Sequence, residues 1–164
     1  MKHKLLTVLF IGILLLMQTS GESKPPAVSS YGLYEIECAG AGSQGTQLVR
    51  VWASSKVRGV NIDMLKRFAV HGVIFKGYAG GNGCTSQKPM ATSPSLEQQR
   101  ANFFDPFFNT DKAYNKYASQ MGKGIERVKV GRETRVGAVI SVSKDMLRRD
   151  LEAAGVLRGL TDGF

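Results

Sequence analysis

His71, Cys38 and Cys84 are the side chains with the widest catalytic repertoire in this sequence once its first 21 residues are set aside. A Cys–His pair makes a thiolate nucleophile when the imidazole stands beside the sulfur, and a Ser–His–Asp set does the same for a hydroxyl. A hydrolase built from this chain would therefore use His71 with Cys84, or His71 with a carboxylate. No nucleophile signature such as G-x-S-x-G accompanies them. His71 falls where a helix is expected to end, and we read it as a cap that satisfies free carbonyls there. Cys38 and Cys84 form an even pair, which in an oxidising compartment predicts a disulfide and the loss of the thiol.

The remaining chemical groups have plainer readings. Glu35 and Glu37 share one face of an expected strand, the layout of an acid pair for glycoside chemistry, but also that of a solvated strand face. One histidine and two distant cysteines do not supply the close ligand pairs of a zinc site, so no metal is expected. Gly40, Gly42 and Gly45 fit G-x-G-x-x-G, yet residues 46–52 read as a strand where a dinucleotide fold needs a helix. We read a turn there, and no cofactor. Phe103, Phe104, Phe107 and Phe108 supply a core by default, or an apolar groove if left uncovered.

Positioning these groups requires a succession of short elements. Residues 31–37 and 46–53 alternate as two strands around the glycine turn, with Leu48, Arg50 and Trp52 on one face and Val49 and Val51 on the other. Asn61 opens a helix that Gly72 is expected to close, and residues 73–75 read as a buried strand. Ser93 and Pro94 open a second helix that Pro106 splits, and residues 111–121 read as a third. A hairpin turning at Gly131-Arg132-Glu133 follows, its inward face Val136, Ala138, Ile140 and Val142. Ser143 then starts a last helix that ends at Gly155. The order ββαβααββα predicts a single α+β domain with a largely antiparallel sheet and helices on one face.

Ahead of this domain, Lys2 and Lys4 precede an apolar run of 13 residues, 5–17, and a small polar stretch. That is the pattern of a cleaved signal peptide, residues 1–21, and the run is short for a bilayer span of about 20 residues. Residues 22–30 read as a flexible leader and 31–164 as the domain. The expected location is the periplasm or the exterior, with no stable membrane span in the mature protein. Cleavage removes two lysines and no acid, so the formal charge of +9 falls to +7. A basic exported chain favours anionic surfaces, acidic glycans or acidic envelope proteins over nucleic acid. Arg127, Lys129, Arg132, Arg135, Arg148 and Arg149 are the residues from which such a contact would be built.

Two segments carry a resemblance: Ala69-Val-His-Gly-Val-Ile-Phe-Lys-Gly77 and Val136-Gly-Ala-Val-Ile-Ser-Val-Ser-Lys-Asp-Met-Leu147. With residues 98–108 they resemble small exported proteins of uncharacterised function from Bacteroidota-type bacteria. The helix, strand and closing hairpin are also similar to periplasmic α+β modules of envelope accessory proteins, such as the N-domain of the flagellar assembly protein T group. The resemblance implies a binding or scaffolding role and brings no catalytic residue. The sequence thus predicts a non-enzymatic exported module. A His71 hydrolase and a carrier with a Phe-lined cavity are the alternatives.

Overall fold

The computed structural model describes residues 32–40, 42–54, 57–81 and 83–159, so the expected signal peptide and leader lie outside the described residues. Strands β1 (Tyr34–Gly40), β2 (Gln47–Ala53), β3 (Ala118–Val130) and β4 (Glu133–Val142) form one antiparallel sheet in the order β1-β2-β4-β3. Helices pack against it, giving a single α+β domain. No helix among the described residues is long and apolar enough to cross a membrane.

Period-two alternation in the strands sorts side chains between two faces. The register places Tyr34, Ala53, Val136 and Arg127 in one row and Glu35, Trp52, Gly137 and Glu126 in the next, on the opposite face. On the inner face Val49, Val51, Ala53, Ala138, Ile140 and Val142 are fully buried. Burial of each branched side chain is worth roughly 1.5–3 kcal/mol, so this face alone fixes the register.

Helix α1 (Ile62–Phe75) lies across all four strands. Asn61 caps it, its side-chain oxygen accepting from the Met64 amide at 2.9 Å. The helix runs straight through residues 73–75, where a strand was expected, and ends at Lys76 with Gly77 in the left-handed region. Every residue from Phe68 to Phe75 is buried. A helix covered on all sides loses its polar face, and periodicity cannot tell such a stretch, apolar here except for His71, from a buried strand. Gly72 is therefore not a terminator. It lets α1 approach β1, since a Cβ there would stand 2.7 Å from Ile36 Cδ1.

The second cover over α1 is aromatic. Short helices α2 (Leu96–Gln99) and α3 (Ala101–Asp105) lead into a π-turn at Pro106–Thr110, so Pro106 does split the helix. The expected helix over 111–121 is instead a 3₁₀ turn, Ala113–Tyr117, that passes directly into β3. Lys112, the one non-glycine residue with positive φ among those described, marks the change of direction. Helix α4 (Lys144–Ala153) follows β4 and ends at Gly155, also with positive φ.

Candidate functional site

His71 sits within α1 rather than at its end, and its side chain is 1% exposed. Its Nε2 stands 3.2 Å from both carboxylate oxygens of Glu97 in α2, and its Nδ1 stands 2.7 Å from the Tyr34 hydroxyl in β1. A carboxylate only accepts, so Nε2 carries a hydrogen, and in the neutral ring Nδ1 then accepts from Tyr34. The expected capping role is thus replaced by a polar tie between the sheet and the segment beyond α1. The Tyr34 ring stacks on Phe68, with centroids 4.6 Å apart. On it rests the Lys76 ammonium, 4.1 Å from the ring centre, which also donates to the Tyr34 carbonyl at 2.6 Å. Partial burial pulls the Lys76 pKa below its ordinary value, against the opposing pull of Glu35.

Cys38 and Cys84 are joined in a disulfide, as expected from their pairing. The bond pins the glycine-rich loop 77–92 to the end of β1. Cys84 therefore offers no thiol, and the Cys–His arrangement for a hydrolase falls with it.

Glu35 and Glu37 do share the outer face, but each is engaged. Glu35 pairs with Arg135 at 2.5 Å, while Glu37 accepts from the Trp52 indole at 2.9 Å and lies 4.0 Å from Arg50. Gly40, Gly42 and Gly45 form the β1–β2 turn. A Cβ on Gly42 would stand 2.6 Å from the Thr46 carbonyl oxygen, and the chain after Gly45 enters strand β2 and not a phosphate-binding helix.

The four phenylalanines are core, not groove. Phe104, Phe107 and Phe108 are buried and Phe103 is partly so. Phe104 meets Phe75 edge-on at 5.0 Å, Phe107 stacks near Tyr117, and Phe108 near Tyr114. Packing of this kind leaves the rings themselves as the contents of the space they enclose.

The basic residues divide into two groups. Beyond its pairing with β2, β4 continues with β3 as a two-stranded ribbon over residues 126–135, turned by Gly131 with φ +60°. Residues 126–134 of this ribbon are all exposed. Arg127 and Lys129 lie on one of its faces, Arg132 at its tip, and Arg135 on the other face against Glu35. Lys123 stands in the bulge between Met121 and Glu126, where Gly122 and Gly124 take positive φ. Arg148 and Arg149 belong to α4, which starts at the opposite end of β4, roughly 30 Å of strand away. Arg148 pairs there with Glu152 at 3.3 Å. The six expected contact residues do not form one patch.

A cleft was not legible in the sequence. It lies between the loop leading into α2 and the turn after α4, with a volume of about 780 Å³. Met90, Leu96, Val156 and Leu157 line it, together with the arginines 100, 148 and 158. These positions meet only through tertiary packing, and no local spacing announces them. Comparisons with protein-family models, with curated proteins and with solved structures return no match to this chain.

Proposed function

We propose that this chain is an exported, non-enzymatic binding or scaffolding module whose docking element is the β3–β4 ribbon. Its partner is an anionic component of the cell envelope, whether acidic glycan, acidic protein segment or anionic surface. One observation carries the reading: Arg127, Lys129 and Arg132 on the ribbon, and Lys123 in the bulge beside it, stand exposed with no acidic partner among the described residues. The acids nearby include Glu126, which lies 4.0 Å from Arg50 instead.

The strand order leaves β3 at the edge of the sheet among the described residues. An unpaired edge invites strand addition by a second copy, and cations along it, with a bulge, oppose that pairing. The same cations attract a partner of the other sign. The disulfide is consistent with an oxidising compartment, and the leading 21 residues have the pattern of an export signal.

The test is elution from a sulfated-glycan column under a rising salt gradient. R127Q/K129Q/R132Q is expected to elute at clearly lower salt than R58Q/K88Q/K112Q, which removes the same charge from exposed positions elsewhere. Equal elution of the two triple variants would sink the reading. N-terminal sequencing of the protein recovered from envelope extract checks the loss of residues 1–21.

A further inference from the structure

We infer that the cleft between the α2 entry and the turn after α4 is a binding site for a small amphiphilic carboxylate, a single acyl chain or ring bearing one anionic head. The cleft stands apart from the ribbon and the inference does not rest on it. Its volume of about 780 Å³ falls in the range of small-molecule sites, about 300–1,000 Å³. Its apolar floor is built from both sides: Met90 and Leu96 from one segment, Val156 and Leu157 from the other. Met90, Val156 and Leu157 are themselves packed into the main core, so the floor is held in place from beneath.

Polarity in the lining is one-sided. Among the described residues, three arginines, 100, 148 and 158, contribute to it and no aspartate or glutamate does. Arg148 is held by Glu152, whereas Arg100 and Arg158 are exposed with no acidic partner among the described residues. A guanidinium fork matches a carboxylate in two parallel hydrogen bonds, which an ammonium cannot do. Ser93 and Gln99 add neutral donors. Apolar floor and cationic rim together select a ligand that carries both properties. A free sugar acid lacks the apolar body, and a neutral hydrocarbon lacks the head.

The probe is decanoate, kept below its micelle concentration and titrated calorimetrically into the mature protein. Saturable one-to-one binding is expected, with decanol at least about tenfold weaker, since a charge-assisted contact is worth that factor or more. R100Q/R158Q alters two exposed side chains and should fold; it is expected to weaken decanoate by about tenfold. The ribbon variant R127Q/K129Q/R132Q should bind decanoate unchanged, which separates this site from the proposed docking element. Four results would each overturn the assignment. They are no saturable binding, equal binding of decanol and decanoate, an unchanged affinity in R100Q/R158Q, or acetate binding as tightly as decanoate. Capture on phosphatidylglycerol vesicles without binding of monomeric decanoate would also overturn it, by making the cleft a membrane contact.

Discussion

The two faces of the sheet are made from the same strands by the same alternation, yet they have opposite chemistry. On the inner face the side chains of β2 and β4 are buried under α1, and beyond α1 lies a second wall of rings from 103 to 117. On the outer face Trp52 lies directly over Gly137, which has no room for a Cβ. Around it runs a lattice of charges: Glu35 with Arg135, Glu37 with Arg50, Arg50 with Glu126. Met121, Val128 and Val130 are left 43%, 42% and 49% exposed there. One face holds the protein together under α1, and the other is left open to solvent. Stability should therefore be concentrated on one side of a sheet only one strand thick.

The largest effect is expected from Phe104→Ala, at the centre of the aromatic wall. Thermal or urea unfolding should show a loss of about 3–5 kcal/mol, and a loss under 1 would mean the wall is not a packed layer. Next comes the staple at the end of β1. C38S/C84S frees a loop of sequence separation 46 and should lower stability by about 2–4 kcal/mol, read from the same unfolding curves. Reductant should reproduce that shift in the native chain and leave the variant unchanged.

His71→Leu tests the polar tie within the inner layer. It removes a hydrogen-bond partner of the Glu97 carboxylate and of the Tyr34 hydroxyl, and should cost about 1–3 kcal/mol. A neutral or stabilising result would mean the tie contributes specificity rather than stability.

A smaller, pH-dependent effect is expected at the surface joint between the 3₁₀ turn and α4. There the Asp150 carboxylate accepts from Lys116 at 2.8 Å and from Tyr117 at 2.7 Å, and Lys116 first, then Tyr117, hold its pKa below the usual value. Because the folded pKa is the lower one, the contribution is present above the ordinary carboxylate range. It is lost as pH falls through the folded value. Asp150→Asn should flatten that acid-side decline in Tm while the neutral-pH fold is kept. Finally, V128T/V130T on the outer face should change stability by less than about 0.5 kcal/mol. A cost above 1 would show that these valines are covered in solution, and the contrast between the faces would fail.

Legibility followed the same division. Strands with one buried face, such as 47–53 and 136–142, announce themselves by strict alternation, and the turns at 40–45 and 131–132 by their glycines. Asn61 marks a helix start because capping is a local device, whereas Ser143 stands at the start of α4 without a side-chain capping bond. The end of α1 was illegible because Ala69 to Phe75 is buried all round, and a helix wrapped on every side erases its own period. The first half of β3 was illegible for the reverse reason. Ser119 to Lys123 is exposed, so no buried face imprints a pattern on it. The partners of His71 were illegible, since Glu97 and Tyr34 lie 26 and 37 residues away. The cleft draws Arg100 and Arg158 into one lining from segments far apart in the chain, which no local spacing announces.

The covalent link between residues 38 and 84 also changes what a protease would reveal. Arg58 lies in an exposed turn inside the closed loop. A tryptic nick after it would sever the backbone while both fragments stay on one molecule. The cut protein would run at full mass on a non-reducing gel and fall into two bands once dithiothreitol is added. Its sheet and central helix would remain joined covalently through the disulfide alone, the ring between residues 38 and 84 having been opened.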